Sequence, residues 1–292
     1  VTLSSTITIE SGGVLVTGNV GNHRTALTGG ALTTGNVNND LVIHQYNTAE
    51  VLQIDSDIVN NGNGPTALTK SGPGTLILNG AKSYTGATFI NEGKLLTSGV
   101  IAGDTTIQSG GYLGGNATVQ GKLVVKLGGT VAPGNSPGTI TAEADAEWGG
   151  DGNYVWELND TLGTVGADSG WDLLSVAGLL EITATAGDRF TLDLRSLTLA
   201  NGSGDPANFD PLLDYAWTIA SAGGGVSGFD AEAFEIVRSG FTGTADGTFG
   251  VALNGNDVQV TYTPTPEPGT AALLLGSLGF LGVTRRRPRV RL

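Results

Sequence analysis

Thr106-Ile107-Gln108-Ser109-Gly110-Gly111-Tyr112-Leu113 aligns without a gap on Val124-Val125-Lys126-Leu127-Gly128-Gly129-Thr130-Val131. Two more windows share the pattern: Thr8-Ile9-Glu10-Ser11-Gly12-Gly13-Val14-Leu15 and Phe89-Ile90-Asn91-Glu92-Gly93-Lys94-Leu95-Leu96. Each reads as a short strand, a glycine bend and a second short strand. In the windows that begin at Phe89, Thr106 and Val124 the second residues fall at 90, 107 and 125, steps of 17 and 18 residues. A step of that size is about one turn of a parallel β-solenoid. Alternate apolar residues then face a shared interior. Glycine takes the bends, where positive φ or close backbone approach excludes a side chain. The competing arrangement is an antiparallel sandwich with glycine-rich hairpins. The repeat favours the solenoid for residues 1–140.

Composition agrees with many short strands. Of 292 residues 48 are Gly and only 14% are charged, while 39% are hydrophobic; ordinary soluble domains have about 7% Gly and about 25% charged residues. The net charge of −13 understates the acidity of the body, because five of the 14 basic residues are Arg285, Arg286, Arg287, Arg289 and Arg291. The rest of the chain carries 9 basic and 27 acidic side chains. Such a body does not bind nucleic acid, whose phosphates are held by Lys and Arg. There is no Cys, so neither disulfides nor thiol chemistry are available. There is no Met either, so Val1 is read as a processed or truncated start, any leader being already absent.

One stretch carries a family signature. Leu68-Thr69-Lys70-Ser71-Gly72-Pro73-Gly74-Thr75-Leu76-Ile77-Leu78-Asn79-Gly80 continues into Tyr84-Thr85-Gly86-Ala87-Thr88-Phe89-Ile90-Asn91-Glu92-Gly93-Lys94-Leu95. This resembles the autotransporter-associated β-strand repeat, with its L-T-K-x-G-x-G-T-L-x-L-x-G and Y-T-G-x-T runs. Gly110 to Val119 and Ala132 to Thr139 also look like the distal part of such passenger domains. The resemblance implies a right-handed parallel β-helix outside a Gram-negative cell. An autotransporter ends in a membrane barrel of many amphipathic strands, which the residues after the repeats do not supply. The resemblance therefore implies the fold of the body and not the export route.

Residues 141–263 read as an irregular β continuation or cap. Tyr154-Val155-Trp156-Glu157-Leu158, Phe190-Thr191-Leu192-Asp193-Leu194, Tyr215-Ala216-Trp217-Thr218-Ile219 and Val258-Gln259-Val260-Thr261-Tyr262 all alternate. All four Trp, at 148, 156, 171 and 217, lie here. Wider final turns with aromatics in the core are expected; the competing reading makes the Trp a carbohydrate platform.

Chemistry is scarce. His23 and His44 are not spaced as a ligand pair, and no Ser sits in a nucleophile elbow. Paired acids are the stronger candidates, because acid pairs cut polysaccharides: Asp55 with Asp57, then Asp145, Glu147 and Asp151, then Asp205, Asp210 and Asp214. All sit beside Gly, Asn or Pro, as solvated bend acids do. Gly149-Gly150-Asp151-Gly152-Asn153-Tyr154 begins like a calcium nonapeptide but has Tyr154 at a ligand position, and Asp55-Ser56-Asp57 runs into Ile58-Val59 where further ligands belong. No catalytic residue, metal site or cofactor is expected, beyond weak calcium binding at acidic bends.

The tail, residues 264–292, is the sharpest functional signal. Thr263-Pro264-Thr265-Pro266-Glu267-Pro268 should be extended and unable to join a sheet. Gly269 to Thr284 is uncharged and apolar, and Arg285-Arg286-Arg287 follows at once. This arrangement is expected to form one C-terminal transmembrane helix with its arginines in the cytoplasm. It resembles the PEP-CTERM sorting signal, whose Pro-Glu-Pro matches Pro266, Glu267 and Pro268, with Arg285, Arg286 and Arg287 as the stop cluster. The resemblance implies an exosortase-type membrane protease as partner, a transient inner-membrane anchor, and delivery to the cell surface or extracellular polymer. The expectation is an all-β surface or matrix protein, structural or adhesive and non-catalytic, with extracellular polysaccharide as a further partner. The alternatives are a β-helix polysaccharide lyase or hydrolase, or a carbohydrate- or calcium-binding module.

Overall fold

A computed structural model describes residues 1–265 apart from 36, 37, 63, 81, 109 and 243–245. The described elements are all strands except two single-turn 3-10 segments, Gly18–Val20 and Ala231–Ala233. Consecutive strands mostly do not pair with each other. Thr88–Ile90, Gly93–Thr97 and Val100–Ile101 each enter a different sheet. The next three, Thr105–Ile107, Gly111–Gly115 and Thr118–Val119, pair with them in the same order and in parallel. Leu123–Val125, Thr130–Pro133 and Thr139–Ala142 do so again. Parallel strands need a long return connection, and here the two other sides of the coil provide it. This is the connectivity a parallel β-helix requires.

The coil produces sheets of nine, eleven and seven strands, with a three-stranded sheet of Thr6–Ile9, Ala31–Thr34 and Asp57–Ile58 in the early turns. The third side is split in two because the turn made by Ala67–Ser71 and Thr75–Leu78 adds no third strand among the described residues. The repeat windows predicted from sequence stand in register: Ile90 pairs with Ile107, and Ile107 with Val125. The first window has the same strand–bend–strand form but turns another corner, since Thr6–Ile9 lies in the three-stranded sheet and Gly13–Val16 in the nine-stranded one.

Two columns of side chains hold the turns together. Leu76, Leu95, Leu113, Val131, Tyr154 and Leu192 pair successively on the eleven-stranded sheet and are fully buried. On the nine-stranded sheet Ile43, Lys70, Ile90, Ile107, Val125, Trp148 and Ile182 form the matching column. Each buried aliphatic side chain contributes roughly 1.5–3 kcal/mol relative to exposure. At the corner between these sheets the turns come very close. A Cβ on Gly111 would stand 2.0 Å from the Ile90 carbonyl oxygen, and one on Gly129 would stand 2.1 Å from that of Ile107.

Beyond residue 140 the same sheets continue with longer connections. Thr139 pairs with Leu173, 34 residues on, and Asn153 with Thr191, 38 residues on. Phe190 pairs with Phe234, 44 residues on. The wider turns are filled by rings: Trp148 stacks on Phe190 at 4.9 Å, Tyr215 on Trp217 at 4.8 Å, and Trp156 meets Trp217 at 5.7 Å. The seven-stranded sheet ends in antiparallel strands, Tyr215–Ala222 against Asp257–Thr263 and that against Thr248–Asn254. Among the described residues no helix is long and apolar enough to cross a membrane. The expected spanning segment 269–284, Pro266, Glu267 and Pro268, and Arg285, Arg286 and Arg287 lie outside the described residues.

Candidate functional site

Alternation decides what the wide turns show to solvent. Tyr154, Trp156 and Leu158 enter the core, as do Phe190, Leu192 and Leu194. The residues between them, Glu157 on one strand and Asp193 and Arg195 on the next, therefore face outward. The two strands run parallel with Val155 opposite Asp193 and Glu157 opposite Arg195. Arg195 in turn pairs with Gly240 on the following strand, after a register shift between Asp193 and Arg195. A Cβ on Gly240 would stand 2.8 Å from the Arg195 Cγ, so the missing side chain leaves room for the arginine stem.

The guanidinium turns along its own strand. Arg195 donates from Nε at 3.1 Å and from Nη2 at 2.7 Å to Asp193 Oδ2. The two side chains remain 46% and 24% exposed. Glu157, in register with Arg195, is left with no hydrogen bond or salt bridge from its carboxylate to any described residue. Burial raises the Glu157 carboxyl above its ordinary range, against the opposing pull of Arg195 and with some help from the Asp193 charge.

Buried polar groups fix this strand from below. Asp172 is fully buried. It accepts the Gly138 N–H at 2.8 Å on Oδ1 and the Glu157 N–H at 2.9 Å on Oδ2, while its own carbonyl accepts the Trp156 Nε1–H at 3.1 Å. Burial, reinforced by the charge on Glu157, holds the Asp172 carboxyl well above the usual carboxylate range. Half-buried Tyr112 belongs to the same outer face. Burial, followed by the charge on Glu157, pushes its hydroxyl up to about 12, and Lys94 Nζ lies 5.0 Å from its ring centroid.

Together Glu157, Asp193, Arg195, Leu197, Ser203 and Ser239 line a cleft of about 360 Å³. A second cleft of about 300 Å³ on the same sheet, lined by Gln53, Ile77, Asn79, Leu96 and Asn135 among others, contains no charged group. Only the first combines two carboxylates, a guanidinium and hydroxyls.

The acids singled out in the sequence do not converge in that way. Asp55 and Asp57 flank buried Ser56 but take separate partners. Asp55 accepts from Gln53 Nε2 at 2.6 and 2.8 Å and from Asn79 Nδ2 at 3.0 Å, bonds that hold its carboxyl below its ordinary value, that from Asn79 most strongly. Asp57 accepts from the Ser83 N–H and Oγ, each at 3.0 Å. Asp145 accepts the Leu179 N–H at 2.8 Å, and Glu147 pairs with Lys122 at 2.9 Å. Asp151 occupies a bend at φ 55°. Asp205, Asp210 and Asp214 are exposed on one loop. His23 is exposed, and His44 stacks on Tyr46 at 6.3 Å. Among the described residues no three acidic or histidine side chains gather as a metal site. Tyr154 is a core residue whose hydroxyl donates to the Ile219 carbonyl at 3.0 Å. Trp148, Trp156 and Trp217 lie in the core, and half-buried Trp171 donates to the Thr218 carbonyl at 3.0 Å.

Sequence reasoning missed Glu157, Asp193 and Arg195 as a group. Their outward direction was available from alternation, but the 38-residue step that sets them side by side was not.

The family model of the passenger-associated-transport-repeat matches residues 68–96. The matched span runs from Ala67–Ser71 through Thr75–Leu78 and Thr88–Ile90 into Gly93–Thr97, somewhat more than one turn of the coil. No curated protein matches the chain significantly.

Proposed function

We propose that this chain is an exported, non-catalytic β-solenoid of the cell surface or extracellular matrix, coiled in the right-handed sense, with a structural or adhesive role. The passenger-associated transport repeat at residues 68–96, set inside a continuous stack of turns, is the observation that carries this reading. A stack whose units touch only their neighbours can vary in length and present a long, repetitive face, which suits a spacer or an adhesive surface. The acidic body favours solubility outside the cell and is unsuited to nucleic acid.

The tail supplies the route in this proposal. Pro266, Glu267 and Pro268 are the recognition motif of an exosortase-type protease, the apolar segment is a temporary inner-membrane anchor, and Arg285, Arg286 and Arg287 hold its end in the cytoplasm. Intact mass spectrometry of the protein from its native cells, with and without the membrane protease, tests this. The expected result is a C-terminus lacking the arginines only when the protease is present. Arginines retained in both strains would sink the sorting step, and protection from external protease on intact cells would sink the surface placement.

A second reading, polysaccharide hydrolase, is favoured by one observation: Glu157 and Asp193 share a cleft while their environments differ, the former without a partner and the latter held by Arg195. Release of reducing ends from a polysaccharide would be its signature.

A further inference from the structure

The cleft beside Glu157 differs from the charged ladder on the nine-stranded sheet. There Lys122 pairs across successive turns with Glu147 at 2.9 Å and Glu181 at 3.5 Å. In the cleft Arg195 pairs with Asp193 on its own strand, and the carboxylate of Glu157, which also lines the hollow, makes no hydrogen bond or salt bridge to any described residue. The walls combine acceptors on Glu157 and Asp193, a half-exposed guanidinium donor, the donor–acceptor hydroxyls of Ser203 and Ser239, and an apolar face on Leu197. Gly240, which also lines the cleft, carries no side chain where the arginine stem passes, so Arg195 can lie along this wall.

We infer that this cleft binds an uncharged saccharide unit of a polymer. Sugar hydroxyls donate to carboxylates and accept from guanidinium, and a sugar's C–H face packs on a small apolar wall; the lining offers each of these. The volume, about 360 Å³, is at the small end of ligand clefts. Electrostatics select within the class. Two carboxylates against one arginine leave the cleft net negative, inside a body of 27 acidic and 9 basic side chains, so a uronate would meet repulsion where a neutral hexose does not. The choice of a polymer as ligand rests on the extracellular placement proposed above, whereas the cleft chemistry stands without it.

Calorimetric titration of the full chain against neutral oligomers of glucose, galactose and mannose, against oligogalacturonate and against oligolysine tests the inference. A neutral oligomer is expected to bind with little dependence on salt, because screening weakens ionic contacts and not hydroxyl bonds. Glu157→Gln and Arg195→Ala should each weaken binding by about tenfold or more. Ser239→Trp, on an exposed edge, should abolish it by filling the cleft, and Asn79→Ala in the second cleft should change nothing. Glu157→Gln should melt with the wild type, the Glu157 carboxylate having no partner to lose; Arg195→Ala and Asn79→Ala give up one exposed ion pair with Asp193 and one exposed hydrogen bond to Asp55, a small loss in each case, so both should stay folded. Failure of every neutral oligomer to bind, binding indifferent to the three cleft substitutions, or tighter binding of oligogalacturonate or oligolysine would each overturn the inference. Loss of sugar binding by a surface-exposed chain removes this inference alone; a chain found inside the cell removes the surface reading alone.

Discussion

Lys70 stands in a column of branched aliphatic side chains, between Ile43 and Ile90, with none of its surface exposed. Its ammonium is held by backbone carbonyls: Ser71 at 3.1 Å, Gly72 at 2.6 Å and, on the next turn, Glu92 at 2.8 Å. One side chain thus joins two successive bends. Lys70→Met removes those bonds and leaves the carbonyls without that donor, so a loss of about 2 kcal/mol is expected in chemical denaturation at pH 7. The pH dependence has a definite sign. Burial pulls the Lys70 ammonium down to about 8, against a raising effect of Glu92, from the ordinary 10.5. Between those values the unfolded chain holds a proton that the folded chain has released, so this group makes stability rise with pH across that window. The stability gap between wild type and Lys70→Met should therefore widen between about pH 8 and 10.5. A gap that narrows there would contradict the assignment. Alternation with Leu68 marks Lys70 as inward-facing in the sequence, but its partner Glu92 lies 22 residues on and is visible only once the turns are stacked.

The glycine bend is the element the repeat made most legible, and its two glycines do different jobs. Gly110 has φ 85° and open space around a would-be Cβ, whereas Gly111 has the Ile90 carbonyl oxygen 2.0 Å from that position. Gly110→Ala should cost about 1 kcal/mol, the strain of a left-handed backbone. Gly111→Ala must push two turns apart and should cost about 3 kcal/mol. Equal losses, measured by urea unfolding, would show that conformation and not turn-to-turn approach decides both positions. Near-equal spacing is why the register of Ile90, Ile107 and Val125 could be read directly from sequence. It fails in the first turns, where paired residues stand 24–29 apart, and past residue 140, where connections of 34, 38 and 44 residues separate paired strands. Alternation still identifies strands such as Tyr154-Val155-Trp156-Glu157-Leu158 there, but nothing in their spacing says which strand is the neighbour. The shift between Asp193 and Arg195 alters the count again. The candidate cleft lies at these joints, which is why its residues were not grouped beforehand.

At the scale of the molecule, strand content and the parallel stacking of turns followed from repetition, glycine content and apolar alternation. The chemistry stayed hidden because it arises between turns. The direction of the inter-turn hydrogen bonds has one further consequence. In a parallel coil they point along the stack, from each turn to the next. Tension between the two ends then loads them one ladder at a time, as in an unfastening zip, and does not shear many together. Single-molecule pulling should show a staircase: steps of about 60 Å from the 17- to 18-residue turns, about 80–100 Å from the 24- to 29-residue first turns, and about 120–150 Å from the aromatic-filled turns. A single abrupt rupture would refute this. A filament that yields a turn at a time dissipates mechanical work over a long extension and refastens when slack, so the coil would behave under flow as a shock absorber.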